Sequence, residues 1–213
     1  MSEKRTMRKA DLKIVMIGNS SVGKTCLVLR YIDRQFQETI CSIGASFVLK
    51  PWGHYNIAIW DTAGGERYTG LSTFYYRNAA AAVLAFDLTD HQSFESLSQV
   101  YLPILNNSSS AKLKVVVGTK RDLIRSNRRQ VTEEEGVELA KKLNPQIDPG
   151  NGVIPYFETS SKNGLNVDEM FEYIFQYFYP NGGTEPRPLS GEDRNILLTN
   201  NNASTKKNSY SCC

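Results

Sequence analysis

Short apolar runs recur along the chain at LKIVMIG, SFVLK, YNIAIWD, AAVLAFD, LKVVVGT and IPYFETS, and stretches with helical spacing separate most of them. Strands that alternate with helices predict a mostly parallel sheet covered on both faces. SFVLK and YNIAIW are parted only by PWGH, a gap that suits a hairpin, so one antiparallel pair is expected. TEEEGVELAKKL opens with Thr132 and Glu135 at capping-box spacing and predicts a surface helix. In LNVDEMFEYIFQYF, the residues Val167, Met170, Phe171, Ile174, Phe175 and Phe178 fall on one helical face and read as core. NPQIDPGNG, at 144–152, is rich in Pro, Gly and Asn and reads as a surface excursion. From Pro180 the chain turns polar and Asn-rich, which predicts a disordered tail over 180–213.

At 213 residues and 40% hydrophobic content the chain suits a single packed domain, expected at 12–179, with a basic arm at 1–11 and the tail behind. The formal charge is +3, and Lys4, Arg5, Arg8, Lys9 and Lys13 carry much of the excess, so no nucleic-acid partner is expected. No apolar run is long enough to span a bilayer, and MSEKRTMRKA lacks the core of a signal peptide, which predicts a cytosolic start. Cys26, Cys41, Cys212 and Cys213 have no zinc-like spacing and are not expected to form structural disulfides.

GNSSVGKT follows the first predicted strand and opens a helix, the setting in which G-x-x-x-x-G-K-[ST] marks a phosphate loop. Its glycines let the backbone curl so that successive N–H groups point at phosphates, and the helix N-terminus adds partial positive charge. The predicted phosphate-binding set is Gly18, Ser20, Ser21, Val22, Gly23, Lys24, Thr25 and Cys26. Lys24 suits the β- and γ-phosphates, and the Thr25 hydroxyl suits Mg²⁺. Asp61 ends the run YNIAIWD and is placed to hold the same ion through a water, because Mg²⁺ dehydrates reluctantly. Gly64, three residues on, offers a backbone N–H to a γ-phosphate.

Two more strand ends complete the pattern, GTKRD at 118–122 and ETSSK at 158–162. Asp122 can accept from the N1–H and 2-amino groups that guanine has and adenine lacks, which excludes ATP by leaving a buried carboxylate unpaired. The Lys120 stem can cover one face of the base.

Taken together, residues 12–179 resemble the Ras-like small GTPases, and the Rab branch in particular through SIGASF, YNIAIWDTAG, ERYTGL, YYRNAA and LAFDLTD. The resemblance implies a P-loop GTPase fold, a six-stranded, mostly parallel sheet with one antiparallel strand, flanked by five helices. It implies GTP or GDP with Mg²⁺ as ligands, and Thr25, Ser42 and Asp61 as the metal set. Phe36 is implied on the second face of guanine, with Thr119, Ser160, Ser161 and Lys162 completing the base site. Ile43, Gly44, Phe47, Trp60 and Tyr75 match the surface that effectors of this family read. The ending SCC resembles the double-cysteine tail of Rab proteins, so Cys212 and Cys213 are implied geranylgeranylation sites; two lipid signals anchor stably where one is marginal. Effectors, an exchange factor, a TBC-type activating protein, a prenylation escort and a GDP-dissociation inhibitor are the implied partners of a monomer. The implied location is the cytoplasmic face of intracellular membranes, endosome or phagosome, with a cytosolic pool.

Three positions depart from the Rab pattern. Ser42 replaces a Thr and keeps its hydroxyl and N–H. Thr119 replaces an Asn, so guanine binding is expected to survive with faster exchange. Gly65 replaces the Gln that orients the attacking water, and hydrolysis depends almost wholly on positioning and charge stabilisation. With Lys24, Ser42, Gly64 and Gly65 as the catalytic set, intrinsic hydrolysis is expected to be slow, and activating proteins of the TBC type are implied to supply a Gln in trans. The competing reading is a GTP-loaded membrane scaffold that does not hydrolyse.

Overall fold

A computed structural model describes residues 10–36, 44–64, 74–109, 111–124, 128–148, 150 and 152–182. Six strands form one sheet: β1 (Leu12–Ile17), β2 (Ala45–Trp52), β3 (Tyr55–Thr62), β4 (Ala81–Asp87), β5 (Leu113–Thr119) and β6 (Tyr156–Glu158), in the order β2-β3-β1-β4-β5-β6. Every neighbouring pair is parallel except β2 with β3. The expected antiparallel pair is therefore the hairpin at the sheet edge. Its strands run further than the apolar pattern implied, because Pro51 and Trp52 continue the ladder and only Gly53 and His54 make the turn. Pro51 is tolerated there because β2 is an edge strand, and Gly53 takes the left-handed φ of 54° that a two-residue turn needs.

Helix α1 spans Lys24–Asp33. Helix α2 covers 91–108 in three continuous pieces, α-helical at His91–Ser96, a π turn at Leu97–Tyr101, and α-helical again at Leu102–Ser108. Helix α3 is Glu133–Leu143 and helix α4 is Val167–Phe178, and a short helical turn lies at 74–76. These four helices are the long ones among the described residues.

The period-2 geometry of strands sorts the core into two layers. On β1, Ile14 and Met16 face α1 and α4, meeting Leu27, Tyr31, Phe171 and Phe175, while Val15 and Ile17 face α2 and α3, meeting Leu97, Leu105 and Ala140. The five central apolar residues of the α4 stripe are fully buried, and Phe178 packs at its margin. The Thr132–Glu135 capping box is present in both directions.

Contacts with the sheet edge continue at both ends of the packed residues. Asp11 belongs to the sheet edge, with its N–H on the Asn56 carbonyl at 2.9 Å and its carboxylate accepting the Asn56 N–H at 2.8 Å. Tyr179 stacks on Tyr55 at 3.7 Å between ring centroids, and Gly182 lies against Trp52 and Tyr55, so the packed domain reaches 182. The arm at 1–9 and the tail at 183–213 lie outside the described residues. The excursion at 144–152 is anchored at its start: buried Asn144 bonds the Lys114 N–H and carbonyl and the Ala140 carbonyl, and Ile147 packs on the core.

Candidate nucleotide-binding site

In a parallel sheet the carboxyl ends of the strands lie along one edge, and β1, β3, β4, β5 and β6 bring their chemistry there. The loop after β1 turns sharply at Gly18, with φ 143°, where a Cβ would fall 2.1 Å from the Ala85 carbonyl oxygen. Ser21 and Gly23 both take positive φ, and Gly23 is the N-cap of α1. The result is a loop of backbone groups curled around the start of a helix, an arrangement that can receive an anion. Lys24 is 5% exposed and donates to the carbonyls of Gly18 and Asn19 at 2.9 and 2.7 Å, which fixes its ammonium group inside the loop.

Asp61, at the end of β3, is 1% exposed, and the Thr25 hydroxyl donates to it at 2.6 Å. The parallel pairing of β1 with β3 brings this carboxylate beside the phosphate loop. A carboxylate and a hydroxyl side by side form an all-oxygen donor set, which fits a hard cation such as Mg²⁺. Two residues beyond Thr62, the backbone of Gly64 lies directly on the loop: a Cβ there would sit 2.2 Å from the Asn19 carbonyl carbon and 2.3 Å from the Ser20 nitrogen.

On the other side of Gly23 a cavity of about 190 Å³ is lined by Gly23, Cys26, Phe36, Thr119, Lys120, Asp122, Leu123, Ser161 and Lys162. All but Leu123 were expected from the sequence. Ser160, fully buried behind the cavity, donates to Asp122 at 2.6 Å and orients its carboxylate. The Lys120 ammonium group pairs with Asp87 at 2.9 Å, and Asp87 is itself held by the Thr89 N–H and hydroxyl. Thr119, 2% exposed, has its hydroxyl 2.6 Å from the Val22 carbonyl and 2.8 Å from that of Phe86. One side chain thereby links β5, β4 and the phosphate loop.

Behind the GTKRD segment, Glu158 receives Arg129 through two bonds at 2.6 and 2.7 Å, Arg121 at 2.8 Å and the Tyr156 hydroxyl at 2.8 Å. Burial alone would raise its carboxyl, but the bonds from Arg129 and Tyr156 and the charges of Arg129 and Arg121 hold it below the ordinary carboxylate range. This cluster grips Arg121, the residue between Lys120 and Asp122.

Phe47 and Trp60 face each other in the β2–β3 register with ring centroids 5.2 Å apart, and Tyr75 lies 5.9 Å from Trp60. All three rings are half-buried, and the Lys13 ammonium group sits 4.6 Å over Trp60. Gly44 accepts the Ala63 N–H at 2.7 Å, joining the start of β2 to the end of β3. Of the expected residues, Ser42, Ile43, Gly65, Cys212 and Cys213 lie outside the described residues. Sequence reading passed over Leu123 and, more consequentially, Tyr101, whose hydroxyl donates to the Gly64 carbonyl at 3.0 Å.

Comparison with known proteins agrees with this geometry. Residues 13–179 match the Ras family. The chain is similar to Ras-related protein Rab-20 of Mus musculus, 36% identical over 202 residues that cover 82% of this chain and 87% of that one. It is similar to Ras-related protein Rab-24 of Dictyostelium discoideum, 36% identical over 213 residues, with 98% and 100% covered. Ras-related protein Rab-13 of Rattus norvegicus is 34% identical over 206 residues, with 94% of each chain covered.

Proposed function

The chain belongs to the Ras family and, within it, to the Rab small GTPases of membrane traffic, and from that premise we propose that it is a GTP/GDP switch whose hydrolysis is slow without a partner. The observation that carries the reading is the cavity beside Gly23, into which β5 and its following turn bring Thr119, Lys120 and Asp122. Asp122, oriented by Ser160, selects guanine through its N1–H and 2-amino groups. Lys120 and Phe36 cover the base, and the N–H groups of Ser161 and Lys162 meet its carbonyl.

The loop Gly18–Cys26 cradles the phosphates, with Lys24 as the fixed cation. Thr25 and Asp61 fit Mg²⁺, with Ser42 as the third member of the set; when bound, the ion neutralises charge on the β- and γ-phosphate oxygens. The Gly64 N–H meets the γ-phosphate, and its loss on hydrolysis releases the segment that follows. Effectors read the GTP-bound form on Ile43, Gly44, Phe47, Trp60 and Tyr75. Cys212 and Cys213 carry the membrane-anchoring lipids, and the chain works on endosomal or phagosomal membranes. Among the described residues no helix is long and apolar enough to cross a membrane.

Gly65 decides the rate. A glycine cannot orient the attacking water, so the chemistry waits for a Gln and an Arg brought by an activating protein of the TBC type. The same glycine favours a second reading, a GTP-loaded scaffold that recruits effectors and never hydrolyses. Single-turnover hydrolysis of pre-loaded GTP separates the two. Gly65→Gln is expected to hydrolyse on the order of a hundredfold faster than wild type alone. A TBC domain is expected to accelerate wild type. Wild type that binds GTP and stays inert with every activating domain supplied makes the protein a scaffold.

A further inference from the structure

Helix α2, which packs on one face of the sheet, is interrupted by a π turn at Leu97–Tyr101. Its signature is the Leu102 N–H donating to the Leu97 carbonyl, five residues back. The wide turn takes one additional residue into the circuit. Beyond it the apolar face returns to the sheet through Leu102 and Leu105, while Tyr101, the last residue of the turn, sends its ring toward the end of β3. The ring is almost wholly buried, and its hydroxyl donates to the Gly64 carbonyl at 3.0 Å.

The place where it arrives is constrained from the other side as well. Gly64 rests on the Asn19–Ser20 backbone so closely that no side chain fits. Asn19 in turn donates through its side-chain amide to the Ser96 hydroxyl at 3.1 Å. Ser96 and Tyr101 bracket the π turn, so α2 holds the phosphate loop with one residue and the start of the next segment with the other.

We propose that Tyr101 is a positioning residue for the triphosphate: its hydroxyl tethers Gly64 through the carbonyl of the peptide unit that follows, and so restrains the residue whose own N–H a γ-phosphate can receive. The proposal rests on the guanine-nucleotide reading of the site. GDP has no γ-phosphate and makes no use of Gly64, so the hydroxyl tilts the ratio of GTP to GDP affinity and leaves GDP binding alone. A general packing role for the ring would move both affinities or neither.

The test is Tyr101→Phe, which removes one oxygen and keeps the ring. Dissociation constants are measured for GDP and for a non-hydrolysable GTP analogue, each with Mg²⁺. The loss of one neutral hydrogen bond predicts analogue binding weaker by about three- to tenfold, with GDP binding within about twofold of wild type. An unchanged affinity ratio overturns the proposal. A wild-type protein that binds neither nucleotide overturns the functional reading instead, so the two failures are distinct. A second readout needs no variant: amide hydrogen exchange of wild type across 97–105 is expected to be slower in the analogue complex than in the GDP complex, and identical exchange in the two also overturns the assignment.

Discussion

Thr119 stands where most Rab proteins carry an Asn, and the structure explains how a hydroxyl serves. It lies within hydrogen-bonding reach of the carbonyls of both Val22 and Phe86, yet it has a single hydrogen to give. An amide has two, so Thr can satisfy only one of its two partners at a time. Thr119→Val removes the donor and leaves the shape, and it is expected to destabilise the fold by about 1–2 kcal/mol while speeding release of fluorescent GDP, because the hydroxyl that joins β5 to either the phosphate loop or β4 is gone. Thr119→Ser keeps the donor and should behave as wild type in both the melting curve and the release assay. The expected phosphate loop was legible as one contiguous stretch after β1, and GTKRD and ETSSK as short stretches at the ends of β5 and β6, whereas Thr25 and Asp61 meet only through the pairing of β1 with β3. Tyr101 was not legible. Its partner lies 37 residues away and is reached only through a π turn, which leaves no periodic mark in SFESLSQVYLPIL.

At the scale of elements the same division holds. The capping box of α3 was readable because both partners sit within one turn, and so was the α4 stripe, whose spacing is a property of the helix itself. What the pattern could not show is why α3 carries a glycine at its fourth position. Gly136 gives α3 room over β6: a Cβ there would fall 2.1 Å from the Tyr156 ring. That ring cannot simply withdraw, since its hydroxyl is bonded to Glu158, which also holds Arg121 and Arg129. In an open helix Gly→Ala would stabilise by up to about 1 kcal/mol. Here the sign reverses, and Gly136→Ala is expected to cost on the order of 2 kcal/mol in a denaturation experiment. Pairing it with Tyr156→Ala should recover much of that loss, measured as a coupling energy in a double-mutant cycle. Additive losses would mean that the helix, not the ring, resents the methyl group.

For the whole molecule, the decisive fact is that one sheet edge gathers the ends of β1, β3, β4, β5 and β6, so a ligand seated there ties together strands that span most of the sheet. A nucleotide that binds only the folded state must therefore stabilise the whole domain and not one loop. At a free concentration of one hundred times its dissociation constant the gain is about 2.7 kcal/mol. For a domain of this size that corresponds to a rise in melting temperature of roughly 5–11 °C. GDP with Mg²⁺ is expected to produce such a rise, and ATP at the same concentration none, because Asp122 would be buried without the donors of guanine. Chelating Mg²⁺ should lower the GDP effect, since Thr25 and Asp61 would then leave phosphate charge unscreened. Asp122→Ala should abolish the guanine preference while leaving the melting temperature of the empty protein near wild type: Ser160, the partner it deserts, can turn its hydroxyl to another acceptor or to water entering the cavity. A rise of equal size with ATP would show that the cavity beside Gly23 does not read the base, and that the phosphate loop alone supplies the binding energy.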